Sequence, residues 1–186
     1  MIIGHGDLAS ALIDRDDVIF FASGVSNSRC SDPAKFNREM DLLRTMPRHM
    51  HLVYFSTLSI YYNWSPYVAH KKRMEALVKD LFQSYTIVRM GNISWGTNPN
   101  TLINYLKAHP EAEIQKVYRH VIDKDEFQYW MGLILVKQRN EMNIPGKMVW
   151  VPNLAWQLDT NRLVESFEKL APNEKREHLG YTDNGT

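Results

Sequence analysis

Apolar residues along this chain fall into short continuous runs that alternate with amphipathic stretches. The runs at 1–3, 17–22, 52–57 and 85–89 have the composition of strands buried on both faces of a sheet. The stretches 32–46 and 66–81 repeat apolar side chains every three or four positions, and each opens with a capping side chain followed by proline. The alternation predicts an α/β fold with a parallel sheet.

Beyond residue 96 the pattern weakens. It predicts helices at 101–108, 123–138 and 159–170, short strands at 113–118 and 148–151, and a turn at 143–147. Leu163, Phe167 and Leu170 should face inward, and the polar stretch 172–186 should fray. We therefore predict a single domain, with a core at 1–97, a small lobe and closing elements at 98–171, and a polar tail at 172–186.

Composition argues against several classes of function. The 186 residues carry a net charge of +1 with both signs interspersed, which argues against nucleic acid as a partner. Cys30 is the single cysteine and no helical His-x-x-x-His occurs, so we predict no disulfide and no metal site. No apolar run reaches the roughly 20 residues of a membrane span, and no leader precedes the first strand. A protein of the cytoplasm with no membrane partner is expected.

A glycine turn directly follows the first strand. Gly4, Gly6 and Ala9 form the pattern G-x-G-x-x-A between that strand and a short helical stretch. Such glycines let the backbone approach the pyrophosphate of a dinucleotide, although the same pattern also serves a plain tight turn. Asp7 lies at the predicted helix start, where a carboxylate competes with phosphate.

The stretch 51–71 carries the candidate chemistry. A buried strand ends in Ser56 and Thr57, and the helix that starts at Ser65 carries Tyr67 and Lys71. Four residues of spacing place these two side chains on one face, about 5–6 Å apart at Cβ. A nearby ammonium lowers the pKa of a phenol, which can then exchange a proton with a substrate oxygen. Any amphipathic helix can also show Tyr-x-x-x-Lys by chance.

Residues 55–61, Phe-Ser-Thr-Leu-Ser-Ile-Tyr, and 65–71, Ser-Pro-Tyr-Val-Ala-His-Lys, resemble the strand-end motif and catalytic helix of the extended short-chain dehydrogenase/reductases. This branch contains the nucleotide-sugar epimerases and dehydratases. The resemblance implies a Rossmann-like parallel sheet of about five or six strands with a small C-terminal substrate lobe. It also implies NAD or NADP as cofactor, with NAD preferred, and a nucleotide-activated sugar as substrate.

The resemblance further implies roles for individual residues. Thr57 would polarise the substrate oxygen, Tyr67 would be the acid/base, and Lys71 would lower the tyrosine pKa while binding the nicotinamide ribose. Arg89 would be a structural hydrogen-bonding residue. The remaining implied cofactor contacts are Gly4, Gly6, Ala9, Ala22, Ser23 and Ser56, and the implied substrate contacts are Ser59 and Asn92.

The chain lacks room for a complete Rossmann sheet. Only about a dozen residues separate the glycine turn from the run at 17–22, which resembles the fourth strand of the usual order 3-2-1-4-5-6. The second and third strands, and the carboxylate that binds the adenosine ribose, are then missing, so dinucleotide binding should be weakened. Alternatively, residues 18–22 are the second strand and Ser23 contacts the 2′-phosphate of NADP.

Two interpretations of function remain open at this point. The chain is either a compact enzyme that transfers hydride between NAD(P) and a sugar carbon, or a non-catalytic protein that binds a nucleotide or sugar on the same fold. By resemblance, the Pro66–Leu81 helix could also join two copies into a homodimer.

Overall fold

The structure is a computed structural model, and it describes residues 1–168. In chain order the strands are β1 (Ile2–Ile3), β2 (Val18–Phe21), β3 (His51–Thr57), β4 (Tyr85–Met90), β5 (Asn92–Ile93), β6 (Tyr118–Ile122), β7 (Arg139–Ile144) and β8 (Lys147–Trp150). The helices are α1 (Asp7–Ser10), α2 (Pro33–Arg44), α3 (Pro66–Leu81), α4 (Leu102–Ala108), α5 (Lys124–Gly132) and α6 (Val151–Glu168). A 3₁₀ turn, Leu58–Tyr61, follows β3.

The main sheet has five strands in the order β1-β2-β3-β4-β7, and every neighbouring pair is parallel. This confirms the predicted Rossmann-like α/β class and the reduced number of strands. Strand β2 lies between β1 and β3, which is the position of the fourth strand in the usual order. A second strand would also lie between the first strand and the next one, so the strand order alone does not separate the two assignments. The alternative that residues 18–22 are the second strand therefore stays a prediction.

Helices cover both faces of this sheet. On one face, Met40 and Leu43 of α2 and Met74 and Val78 of α3 pack against the buried side chains of β2, β3 and β4. On the other face, α5 contributes Phe127 to a second apolar cluster. The predicted N-caps of α2 and α3 are confirmed, because the Asp32 side chain accepts from Ala34 N at 2.9 Å and the Ser65 side chain accepts from Val68 N at 3.2 Å.

The apolar stripe of α3 packs on its own sheet, while the outward positions Lys72, Arg73, Lys79 and Asp80 are charged and exposed. A homodimer through this helix therefore stays a prediction.

A second, smaller sheet forms the lobe. Strand β5 pairs parallel with β6, and β6 pairs antiparallel with β8. Leu106 of α4 packs with Val151 and Ala155 of α6 against this region. The predicted strand at 148–151 is confirmed as β8, one residue earlier, whereas the strand predicted at 113–118 begins only at Tyr118.

Strand β7 was missed in the sequence. The helix predicted over 123–138 ends at Gly132, and residues 139–144, partly assigned to a turn, form the fifth strand of the main sheet. Its side chains alternate between exposed and partly buried, as expected of a sheet edge, and it has no continuous apolar run. The chain thus returns to the main sheet after entering the lobe. The predicted inward side chains Leu163, Phe167 and Leu170, and the predicted tail 172–186, lie outside what the structure describes.

Candidate active site

A crevice of about 870 Å³ opens at the carboxyl ends of β1 to β4, beneath the lobe. Ligands of open α/β sheets bind at this edge, and the volume is in the range of sites for cofactor-sized ligands. The predicted residues that line the crevice are Gly6, Ala22, Ser23, Ser56, Thr57, Ser59, Tyr67, Lys71 and Asn92. Gly4 and Ala9 do not line it.

The two glycines of the first turn have different structural roles. Gly4 has φ +128°, and a Cβ there would lie 2.5 Å from the carbonyl oxygen of Ala22, so glycine is needed for the close approach of β1 to β2. Gly6 has nothing within 4 Å of its Cβ position. Gly4 therefore shapes the turn, Gly6 leaves space in the crevice, and Ala9 is buried against the core.

The Asp7 carboxylate ties the lobe to the glycine turn. It accepts hydrogen bonds from the backbone nitrogens of Thr97 at 3.0 Å and Asn98 at 2.9 Å. The Asn98 side chain also donates to Ser26 Oγ at 3.0 Å, so the loop after β5 is bound to the loops after β1 and β2. Asp7 thus has partners within the chain at the position where the sequence analysis expected competition with phosphate.

Tyr67 lies in the first turn of α3, because the Ser65 cap and Pro66 start the helix at that point. Its ring packs with Val25, Cys30 and Val68 and is 8% exposed. Burial, and then the negative charge of Glu39, raise the pKa of the Tyr67 phenol well above its ordinary value. The predicted lowering of this pKa by Lys71 is therefore wrong for the arrangement in the structure.

Lys71 is buried and fully engaged. Its Nζ lies 3.1 Å from Glu39 Oε1, 3.0 Å from the Tyr54 hydroxyl and 3.4 Å from the carbonyl oxygen of Phe55. The same nitrogen lies 5.8 Å from the centre of the Tyr67 ring. The lysine is near the tyrosine, as predicted, but its charge is paired with a carboxylate that the sequence analysis did not single out.

Glu39 is the centre of this cluster and is 0% exposed. It accepts from Val25 N at 2.6 Å, from the Tyr54 hydroxyl at 2.8 Å and from His70 Nε2 at 2.9 Å, in addition to Lys71. Burial alone would raise the pKa of Glu39, but the charge of Lys71 and these hydrogen bonds outweigh it and hold the pKa far below the usual range. The carboxylate is therefore ionised at neutral pH.

A second buried cluster lies beside the first. Ser56 Oγ donates to Glu75 Oε1 at 2.6 Å, and the Arg89 guanidinium binds both Glu75 and Glu141. Arg89 also donates to the Tyr61 hydroxyl at 2.9 Å. The hydroxyl of Ser56 is thus directed to a carboxylate below the crevice, and Arg89 has the structural role that the resemblance implied.

Thr57 and Asn92 complete the crevice wall. Thr57 Oγ1 accepts from Ser59 N at 3.1 Å and caps the 3₁₀ turn, an arrangement that leaves the hydroxyl hydrogen for a ligand oxygen. Asn92 Nδ2 donates to the carbonyl oxygen of His120 at 3.1 Å, which fixes its amide across β5 and β6. The structure thus brings Thr57, Tyr67, Lys71 and Asn92 to one crevice.

The fold is similar to that of several solved structures. The chain is similar to the Bordetella bronchiseptica enzyme WbmG in complex with NAD, with a TM-score of 0.62 and 12% identity, over 76% of this chain and 55% of that one. It is similar to dTDP-4-dehydrorhamnose reductase from Bacillus anthracis in complex with NADP, with a TM-score of 0.61 and 14% identity, over 78% and 62%. For UDP-glucuronic acid 4-epimerase from Bacillus cereus the values are 0.58 and 15%, over 83% and 60%.

These similarities show that the chain has the Rossmann-like fold of NAD(P)-binding epimerases and reductases, and at the level of fold they confirm the resemblance seen in the sequence. The chain spans about 55–62% of the length of these solved structures. No protein-family model and no curated protein matches it significantly. Within residues 1–168, no helix combines the length and hydrophobicity of a membrane span.

The residues at the crevice fit a dinucleotide in part. The open space at Gly6, the strand ends at Ala22 and Ser23, and the crevice volume suit a cofactor of this size. Lys71 fits less well, because its ammonium, although it lies at the crevice wall, is held by protein acceptors. The glycine-turn side thus fits a cofactor better than the lysine side.

Proposed function

We propose that this protein binds an NAD(P)-type dinucleotide and a nucleotide-activated sugar in the crevice, and acts on the sugar as an oxidoreductase, epimerase or dehydratase. The observation that carries the proposal is the convergence of Thr57, Tyr67 and Asn92 on a cofactor-sized crevice at the carboxyl ends of the strands. Proteins of the same fold were solved with NAD or NADP bound, and two of them, WbmG and UDP-glucuronic acid 4-epimerase, were solved with UDP or UDP-glucuronic acid beside the NAD.

In this proposal each residue has a stated task. Gly6, Ala22 and Ser23 hold the dinucleotide, and Ser59 and Asn92 contact the sugar nucleotide. Thr57 donates to the reacting oxygen, and Tyr67 exchanges a proton with that oxygen. A bound nicotinamide would supply or accept the hydride. Because the phenol pKa lies above its ordinary value in the structure, turnover in the oxidative direction, in which Tyr67 accepts the proton, should increase as the pH rises above neutrality.

Replacing Tyr67 with phenylalanine tests the catalytic part of the proposal. The ring should keep its packing with Val25 and Val68, so the melting temperature should change little. Turnover of a UDP-sugar with NAD should fall by about 10²- to 10⁴-fold, the usual contribution of a positioned acid/base. The exposed Tyr129→Phe serves as the matched control. Equal turnover in Tyr67→Phe and wild type would end the assignment of Tyr67.

A second candidate function is binding of the same ligands without turnover. It is supported by the engagement of Lys71 with Glu39 and by the raised pKa of Tyr67, both of which oppose an active tyrosine. Calorimetric titration with NAD, NADP and UDP-sugars, followed by product analysis, separates the two candidates. Binding with no product across the alkaline pH range favours the second, and product formation that depends on Tyr67 favours the first.

A further inference from the structure

The cluster of Glu39, Tyr54, His70 and Lys71 lies directly beneath the loop that follows β2. A Cβ on Gly24 would lie 2.8 Å from both Glu39 Oε1 and Lys71 Nζ, so no side chain separates this loop from the ion pair. The next residue, Val25, donates its backbone N–H to the same carboxylate at 2.6 Å. One carboxylate on α2 thus joins the crevice loop to α3.

The hydrogen-bond donors of the Lys71 ammonium all have acceptors within this cluster. An ammonium has three hydrogens to donate, and three acceptors lie within 3.4 Å of Nζ: Glu39, Tyr54 and the carbonyl of Phe55. The side chain of Lys71 is 4% exposed. A ribose hydroxyl in the crevice would therefore have to replace one of these acceptors.

The cluster also places two opposite charges, those of Lys71 and Glu39, close to the Tyr67 phenol. Lys71 Nζ lies 5.8 Å from the centre of the Tyr67 ring, near enough to stabilise a phenolate in a buried site. A carboxylate 3.1 Å from that nitrogen offsets the attraction. The other titratable groups around this region are Tyr54 on β3, His70 and Glu75 on α3, and Cys30 in the loop before α2.

We propose that Glu39 is a positioning residue that keeps Lys71 bound inside this cluster and withholds the ammonium from Tyr67 and from a ligand in the crevice. The inference rests on the proposed function, because it concerns the same crevice. According to this proposal, the position of the Glu39 carboxylate determines whether the Lys71 ammonium can lower the pKa of Tyr67. A ligand in the crevice gains the Lys71 ammonium by displacing one of its three acceptors, of which Glu39 is the charged one.

The first test follows the titration of Tyr67 itself. Tyrosine is isotope-labelled at Cζ, the Tyr67 resonance is assigned by its loss in Tyr67→Phe, and its chemical shift is recorded against pH. Glu39→Gln should move the Tyr67 midpoint to lower pH by about one unit or more, because it removes the negative charge of Glu39 and leaves the Lys71 cation free to favour the phenolate. Asp41→Asn, an exposed charge removal on the same helix, should leave the midpoint unchanged. A midpoint at or above the wild-type value in Glu39→Gln overturns the proposal.

A second variant covers the case in which Glu39→Gln does not fold. Glu39→Gln combined with Lys71→Met removes both charges, and neutral replacements of buried ion pairs are often tolerated. If Lys71 is withheld in the wild type, the double variant titrates Tyr67 no higher than wild type. A midpoint raised by about one unit or more would show that Lys71 already acts on Tyr67, and would contradict the proposal.

Neither arm needs turnover or bound dinucleotide. If the wild type neither binds NAD nor turns over a nucleotide sugar, the proposed function fails while the Tyr67 titrations still decide the role of Glu39. If the dinucleotide binds and the titrations do not respond to Glu39, the proposed function stands and this inference fails.

Discussion

The two buried ion clusters beside α3 differ in what surrounds them. The Glu39–Lys71 cluster lies under the glycine-containing loop at the crevice, and each of its members is within 5% of full burial. The Arg89 cluster holds the ends of β3, β4 and β7 together through Glu75 and Glu141, and reaches the surface at Glu141, whose side chain is 37% exposed. The first cluster lies where a ligand in the crevice could replace one of its hydrogen-bond partners. The second cluster joins three strands within the protein, and we call it the clamp.

The largest effect is expected from breaking the clamp. Arg89→Met leaves Glu75 buried without its cation, which typically costs about 3–5 kcal/mol of unfolding free energy. Denaturant unfolding measures the loss, with Arg44→Met as control, because that arginine forms only an exposed pair with Asp41 and should cost less than about 1 kcal/mol. Equal losses in both variants would remove the distinction between clamp and surface pair.

Acid should weaken the crevice cluster. The pKa of Glu39 lies far below its unfolded value of about 4.3, so the stability it contributes is complete above that value and is lost as the pH falls toward the folded pKa. Between pH about 4.5 and 2, the wild type should lose on the order of 1–3 kcal/mol more than Glu39→Gln/Lys71→Met. Denaturant unfolding at these pH values measures the loss. Equal losses of unfolding free energy in the wild type and the double variant would contradict an ionised Glu39.

A smaller effect is expected at the hydroxyl that bridges the crevice pair. Tyr54→Phe removes a donor to Glu39 and an acceptor of Lys71, and should cost about 1–2 kcal/mol in denaturant unfolding. Tyr129→Phe, at a 63% exposed ring, should cost almost nothing. A neutral Tyr54→Phe would mean that the hydroxyl does not hold the pair together.

Several of these features could be predicted from the sequence. Continuous apolar runs and capped helices predicted the parallel sheet, and the short distance between the glycine turn and β2 predicted the loss of two strands. The motif residues Thr57, Tyr67 and Lys71 do meet at one crevice. These features are local patterns of a few residues, which sequence reasoning handles well.

Other features depend on contacts between distant segments. Strand β7 has a polar, alternating pattern because it lies at a sheet edge, so it lacked the signal of the buried strands. Glu39 lies on the face of α2 that carries Phe36, Met40 and Leu43, and a carboxylate on an apolar stripe was a signal that could have been used. Its partner could not be named from spacing, since 32 residues separate it from Lys71.

The smallest effect is expected at Asp7, outside both clusters. Asp7→Asn keeps one of the two side-chain oxygens that accept from the nitrogens of Thr97 and Asn98, loses the other acceptor, and removes a negative charge near the glycine turn. Dinucleotide affinity should increase about two- to five-fold in calorimetric titration, which corresponds to the weak effect of a single charge that is partly open to solvent. Unchanged affinity would place the phosphates away from Asp7.

Titration of NAD into the wild type and Gly6→Val tests the central claim most directly. Gly6 has an extended φ of −81° and free space at its Cβ, so valine should fit the backbone while filling the path of the pyrophosphate. Gly132→Val, at another position with free space, is the control. The account predicts heat of binding in the wild type and in Gly132→Val, and none in Gly6→Val at an unchanged melting temperature. Equal binding in all three, or none in the wild type at millimolar NAD, would contradict it.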